Sequence, residues 1–123
     1  MKKRGKKSKN LPLFVLKSYN LVVEFKQGAY AMKSYVYPAI FIRDEEDGSY
    51  KVLFPDLELT TDGRFVEEAY LYAQELLKAY FVCALKHDLD YNLPTDFEKI
   101  KKFAAAGEHV MLVVADITKK DLA

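Results

Sequence analysis

Cysteine and histidine are scarce in this chain, which has one cysteine and two histidines among 123 residues. The single Cys83 excludes an intramolecular disulfide and any paired-cysteine metal motif. His87 and His109 have neither HxxxH nor HExxH spacing, so we expect capping or surface roles for them. Cys83 lies in an apolar stretch and is predicted to be a buried, inert thiol. The sequence therefore predicts no metal ion and no cofactor.

Phosphate-binding glycine loops, serine nucleophile motifs and long apolar runs are also missing. No segment approaches the ~20 apolar residues that a membrane-spanning helix requires. We therefore expect a soluble, cytoplasmic protein without a membrane partner. Half of the 123 residues are hydrophobic, which is enough for one core and one domain.

Charge is distributed unevenly along the chain. Residues 1–31 carry eight basic residues and one acid, a net charge of +7, and the net charge of +1 for the whole chain leaves −6 for residues 32–123. An acidic unit of this kind attracts basic surfaces and repels nucleic acid, so we expect a basic protein partner and no direct DNA binding.

Residues 1–31 are predicted to be an N-terminal extension of a domain formed by residues 32–123. The extension can be interpreted as a nucleic-acid tail, as a solubility tract, or as a non-native segment if translation starts at Met32. Residues 11–25 argue against a disordered tail, because they are apolar enough to form an extra strand or hairpin.

Hydrophobic periodicity predicts an α+β fold: an antiparallel three-stranded meander, a long helix, a short helix and a final strand. The dipeptide Asp62-Gly63 is predicted to be a turn that stops the third strand. A capping box at Thr95 predicts the start of the short helix. The other predicted elements are strands over residues 34–42, 49–54 and 57–61, a helix over 66–87 and a strand over 109–117.

The most informative motif is a pair of apolar, proline-containing segments joined by an acidic loop. Tyr37-Pro38-Ala39-Ile40-Phe41 and Phe54-Pro55-Asp56-Leu57 flank Arg43-Asp44-Glu45-Glu46-Asp47-Gly48, which has the composition of a hairpin loop with a left-handed glycine. Glu67-Glu68-Ala69 follows at the helix start. Because proline lacks an amide hydrogen, we expect Pro38 and Pro55 at a strand end or an edge.

The order and spacing of these motifs, together with the closing strand over residues 110–116, resemble the HicB family of antitoxins over about residues 32–118. The resemblance implies a partial ribonuclease-H-like fold and a binding function without enzymatic activity. It also implies a partner, a small basic RNA-cleaving toxin of the HicA type in a type II toxin–antitoxin system. The resemblance further implies inhibition of that toxin by covering its active surface.

Two departures from the family pattern are visible. Glu58-Leu59-Thr60-Thr61 replaces the usual turn, and Arg64-Phe65 stands where an Asp-Thr helix cap is common. Many relatives continue into a DNA-binding module, whereas this chain ends at Ala123. We therefore do not expect this polypeptide alone to repress its own operon.

Carboxylates are the candidate contacts for a basic partner, in one group at the hairpin tip and a second along the third strand and helix start. A solvated surface explains each group equally well, and Glu67 is also placed to offset the helix dipole. The candidate partner-binding residues are Asp44, Asp47, Asp56, Glu58, Asp62 and Glu67.

Two other functions remain open at this point. A divergent metal-dependent nuclease would use Asp44, Asp56 and Asp116, provided that they surround two metal ions ~4 Å apart. The third possibility is an interaction domain of the same fold with a different partner.

Aromatic residues are abundant, with nine tyrosines and eight phenylalanines. They exceed what a small core readily buries, so we expect a homodimer formed through a strand edge or a helix face. The candidate contacts are Tyr35, Tyr37, Tyr70 and Tyr72.

Overall fold

A four-stranded antiparallel sheet and a long helix form the body of the protein in a computed structural model that describes residues 4–5 and 32–123. The predicted α+β class is confirmed, with the predicted final strand as the fourth strand of the sheet. The predicted strand or hairpin over residues 11–25 lies outside the described residues. The elements are β1 (Arg4–Gly5), β2 (Met32–Arg43), β3 (Tyr50–Phe54), β4 (Leu59–Gly63), α1 (Val66–Lys86), β5 (Tyr91–Asn92), α2 (Phe97–Phe103), β6 (His109–Thr118) and a 3-10 helix (Lys119–Leu122).

The sheet has the order β4-β3-β2-β6, so the meander gains β6 as a second edge strand beside β2. β6 pairs with β2 from Met32↔Thr118 to Phe41↔His109. β3 pairs with a shorter part of β2, from Ile40↔Leu53 to Arg43↔Tyr50. A separate two-stranded ladder joins β1 to β5.

Pro38 lies inside β2, an interior strand, so the prediction of a strand end or edge is wrong for this residue. The position is tolerated because the ladder with β3 begins only at Ile40, beyond Pro38. Pro55 follows the last residue of β3, as predicted.

Helix α1 covers one face of the sheet and supplies much of the hydrophobic core. Small residues at Ala69 and Ala73 let the helix approach the sheet closely, and Leu77 and Phe81 fill the space further along. Gly63 is buried at the end of β4, where an added Cβ atom would lie 2.5 Å from the Ala69 nitrogen. The predicted turn at Asp62-Gly63 is therefore wrong, because both residues belong to β4 and the glycine serves close contact with α1.

An aromatic cluster around Phe81 accounts for much of the aromatic surplus. The Tyr35 ring stacks on Phe81 at a centroid distance of 4.0 Å, and Tyr91 meets it edge-on at 4.9 Å. Tyr37 is 2% exposed and its hydroxyl donates to the Asn92 carbonyl at 2.6 Å. Burial raises the pKa of the Tyr35 and Tyr37 hydroxyls above the usual tyrosine range.

Burial corrects the predicted dimer contacts. Tyr37 is in the core and is not accessible to a second copy. Tyr35 and Tyr70 are half-buried, the former stacked on Phe81 and the latter donating its hydroxyl hydrogen to the Leu112 carbonyl at 3.2 Å. Among these four tyrosines, Tyr72 alone is exposed.

Cys83 is exposed, so the prediction of a buried thiol is wrong. The buried stripe of α1 passes through Phe81 and Ala84 and leaves Cys83 on the outer side. His87 is the C-cap residue of α1, and both histidines are exposed, as expected. Among the helices of the described residues, none has the length and apolarity needed to cross a membrane.

Candidate functional site

The hairpin between β2 and β3 presents four consecutive acidic residues, all exposed. One Asp44 carboxylate oxygen accepts the Glu46 amide at 2.8 Å. One Asp47 oxygen accepts both the amide and the hydroxyl of Ser49, at 2.9 and 2.7 Å. The two bonds from Ser49 hold the pKa of Asp47 below its usual range, so this carboxylate keeps its negative charge. Gly48 has a φ of +76°, the left-handed conformation that the sequence predicts for this loop.

Two further predicted carboxylates lie at the same end of the sheet as this tip. Tyr50 pairs with Arg43 of β2 and with Gly63 of β4, so these three residues form one row across the end of the sheet. Asp62 precedes Gly63 on β4 and therefore lies one residue further from that end. Strand spacing then puts Asp44 and Asp62 on the order of 10 Å apart. Glu67 follows in the first turn of α1 and is exposed. We call Asp44, Glu45, Glu46, Asp47, Asp62 and Glu67 the acidic end of the sheet.

Glu58 does not join the acidic end. It lies in the turn between β3 and β4, where Phe54 pairs with Leu59, four ladder positions from the Tyr50↔Gly63 pair. This corresponds to ~13 Å along the strands. Glu58 is exposed and has a φ of +58°, and its amide donates to the Phe54 carbonyl at 2.8 Å. The second predicted group is therefore divided between the two ends of the sheet.

Asp56 is buried, with 2% of its surface exposed, so its predicted role as a surface contact is wrong. Its two carboxylate oxygens accept the amide and the hydroxyl of Thr95, the amide at 2.9 Å. The Asn92 side chain donates to the Asp56 carbonyl at 3.0 Å. Asp56 is thus a structural residue that fixes the β3–β4 turn to the segment before α2.

The same contact explains why the predicted capping box at Thr95 is wrong. The N-cap residue of α2 is Asp96, and its side chain makes no capping bond. The Thr95 hydroxyl donates to Asp56, a residue 39 positions away in the sequence. The Thr95 hydroxyl therefore bonds the buried Asp56 carboxylate of the β3–β4 turn and not the backbone amide in the first helical turn that a capping box requires.

The start of α1 uses a substitute for the missing Asp-Thr cap. One Glu68 oxygen accepts the Arg64 amide and the Arg64 Nε, each at 3.0 Å. Glu68 is the third helical residue and Phe65 is the N-cap, so the acid reaches one residue beyond the N-cap amide that a capping box would use. Bonds from Arg64 and from the Tyr72 hydroxyl lower the pKa of Glu68 to about 2. The spacing of Glu68 from Arg64 was the sequence signal for this contact.

The three carboxylates of the nuclease alternative are dispersed. Asp116 is paired in register with Ser34 and accepts its hydroxyl hydrogen at 2.6 Å. Asp44 follows the other end of β2, ten residues from Ser34, which corresponds to ~33 Å along a strand. Asp56 is buried in the β3–β4 turn. Within the described residues, no three acidic, histidine or cysteine side chains are grouped so that they would hold a metal ion.

An open cleft of about 640 Å³ borders the acidic end. Its apolar floor consists of Phe41, Tyr50, Val66 and Met111, and one wall is the loop of residues 104–107 after α2. That loop reads Ala-Ala-Ala-Gly, and its small side chains leave the cleft wide. The cleft could not be predicted from the sequence, because alanine and glycine have no functional group that would indicate a binding site.

Comparison with known proteins shows one relationship of fold. No protein-family model matches the chain, and no curated protein matches it. A chain in a solved structure described as a toxin–antitoxin complex from Streptococcus pneumoniae has a similar fold, with a TM-score of 0.57. The match covers 67% of this chain and 69% of that chain at 24% sequence identity. At this identity the likeness shows a shared fold.

Proposed function

We propose that this protein is an antitoxin that binds and inhibits a small basic RNA-cleaving toxin, of the HicA type in a type II toxin–antitoxin system. The observation that carries the proposal is the acidic end of the sheet, on a fold shared with a chain of a toxin–antitoxin complex. The HicB-like motifs of the sequence agree with it. The partner acts on RNA, so the proposal places both proteins in the cytoplasm.

Inhibition in this proposal is electrostatic occlusion. A toxin that cleaves RNA must hold phosphates with basic side chains. Exposed carboxylates at Asp44, Asp47, Asp62 and Glu67 occupy such a surface in place of phosphates. The antitoxin therefore needs no catalytic group of its own, and its net charge of −6 over residues 32–123 steers the encounter.

The proposal predicts a short basic reading frame beside the gene of this chain, and the test measures association of this chain with the product of that frame. Glu45→Lys/Glu46→Lys reverses charge at the tip without touching the side-chain bonds of Asp44 and Asp47. We expect the association rate constant to fall at least ~10-fold at low salt, and the difference from wild type to shrink as salt rises.

The matched control reverses the same number of charges away from the acidic end. Glu58→Lys/Glu75→Lys changes two exposed residues, one in the β3–β4 turn and one on α1. The two variants are compared at physiological salt, where we expect less than a ~3-fold change from the control, because exposed charges beyond the Debye length of ~8 Å are largely screened there. A larger effect from the control than from the tip variant would indicate that the partner binds away from the acidic end.

Self-association belongs to the same proposal. The outward carbonyls of β6 at Leu112 and Val114 accept bonds from Tyr70 and Gln74, at 3.2 and 3.0 Å. The other edge strand, β4, is therefore the better edge for a homodimer.

The exposed face of α1 at Leu71 and Tyr72 is the alternative dimer surface. Light scattering should give a dimer, and Leu71→Glu/Tyr72→Glu should leave it intact if β4 forms the contact and dissociate it if α1 does. A wild-type monomer at high concentration would contradict self-association.

A further inference from the structure

The cleft beside the acidic end has the composition of a site for an apolar anchor. Tyr50, Val66 and Met111 are half-buried and pack against the core, and Phe41 below them is fully buried. Its volume lies within the ~300–1,000 Å³ range of ligand-binding pockets. Burial of large side chains in such pockets dominates the energetics of many interfaces.

Polar groups in the cleft are few and do not converge on a small polar ligand. The Glu108 carboxylate accepts the Ala105 amide at 2.9 Å, which closes the loop on itself. The Lys101 ammonium lies 5.7 Å from the centroid of the Phe97 ring. His109 and the floor residue Tyr50 are the other titratable residues of the lining. The floor therefore favours binding of an apolar group. The charge of the bound segment is selected by the charged residues around the cleft.

The surroundings are acidic on balance on the side of the hairpin and α1, where the four exposed carboxylates of the tip and Glu67 outnumber the guanidinium of Arg43 beside Gly48. Glu67 follows the floor residue Val66, and the acidic tip begins three positions from Phe41 and ends three positions before Tyr50. A basic residue next to an anchor side chain would meet these carboxylates, whereas an acidic segment or a nucleic acid would be repelled.

We infer that this cleft is the anchor site for a short basic segment of the partner protein that carries a large apolar or aromatic side chain. The anchor enters between the 104–107 loop and the sheet end, and its basic neighbours lie against the acidic end. This inference rests on the proposed function for the identity of the partner. The cleft itself can be probed without that partner.

The probe is the pentapeptide Lys-Lys-Trp-Lys-Lys, titrated into the full ¹⁵N-labelled chain and compared with Lys-Lys-Ala-Lys-Lys. We expect the tryptophan peptide to shift the amides of Tyr50, Val66 and residues 104–111, and to bind at least ~10-fold more tightly than the alanine peptide. Equal binding of the two peptides, or shifts confined to the hairpin tip, would overturn the inference.

The matched variants are Ala106→Trp, which fills the cleft, and Ala79→Trp on α1. Both alanines are exposed, and Ala79 lies ~20 Å further along α1 than the cleft residue Val66. Ala106→Trp should weaken binding of the tryptophan peptide at least ~10-fold, and Ala79→Trp should leave it unchanged. Equal losses from both variants at unchanged thermal stability would also overturn the inference.

Inhibition of the neighbouring gene product separates this inference from the proposed function. Inhibition that survives Ala106→Trp unchanged refutes the anchor site and leaves the antitoxin function standing. Selective peptide binding without any toxin inhibition supports the anchor site and refutes the antitoxin function.

Discussion

Replacing Asp56 with alanine should destabilise this protein strongly, although aspartate is usually a surface residue. The Asp56 carboxylate is 2% exposed and accepts the amide and the hydroxyl of Thr95. Hydrogen bonds to charged groups contribute ~1.5–3 kcal/mol each, and a buried donor left without a partner loses more than a solvated one. Thr95 is half-buried, so water replaces part of what is lost.

We therefore expect Asp56→Ala to lower the free energy of unfolding by ~2–4 kcal/mol. For a domain of this size that corresponds to a fall in Tm of roughly 10–20 °C. Asp62→Ala is the control, because Asp62 is exposed on β4, and it should change stability by less than ~0.5 kcal/mol.

The assay is urea unfolding of the wild type, Asp56→Ala, Thr95→Ala and the double variant. If the two side chains act as a pair, the double-mutant cycle should give a coupling energy of at least ~1 kcal/mol. A coupling near zero, or an Asp56→Ala variant as stable as Asp62→Ala, would refute the structural role of this carboxylate.

Two other predictions concern the start of α1. Gly63→Ala should lower stability by ~1–3 kcal/mol in urea unfolding, because its Cβ would lie 2.5 Å from the Ala69 nitrogen; an unchanged midpoint would show that β4 and α1 can separate freely. Arg64 lowers the pKa of Glu68 from 4.5 to about 2, so this group adds stability above pH 4.5 that is lost as the pH falls towards 2. Glu68→Gln should therefore make Tm less dependent on pH between these values, and an unaltered pH dependence would contradict the Arg64 contact.

Much of the fold was predictable because the controlling signals are local. Alternation in β2 and β3 and the spacing of apolar residues in α1 arise within a few residues of one another. The hairpin tip also follows from local chemistry, since Asp44, Asp47 and Gly48 form the turn among themselves and Ser49.

Most of the wrong predictions came from partners distant in sequence. Asp56 and Thr95 are 39 residues apart, so neither the burial of the first nor the lost cap of the second has a local signal. Pro38 is tolerated inside β2 because β3 stops short of it, which depends on the relative lengths of two strands. Cys83 was misplaced because a small apolar residue fits either side of an amphipathic helix.

The candidate site was likewise predictable where its signals are local, and it was not predictable where it depends on contacts between distant segments. Sequence reasoning identified Asp62 and Glu67, but their proximity to the hairpin tip depends on the register of β3 with β4. The cleft depends on the space that residues 104–107 leave open over Phe41 and Tyr50.

The proposal predicts a short basic reading frame beside the gene, and the most direct test of the account is an RNA-cleavage assay with the purified product of that frame. Added in stoichiometric amount, this chain should abolish cleavage, and the Glu45→Lys/Glu46→Lys variant should require a clear excess to do so. Cleavage that continues at a large excess of the wild-type chain, or RNA cleavage by this chain alone, would contradict the proposal that it is an antitoxin.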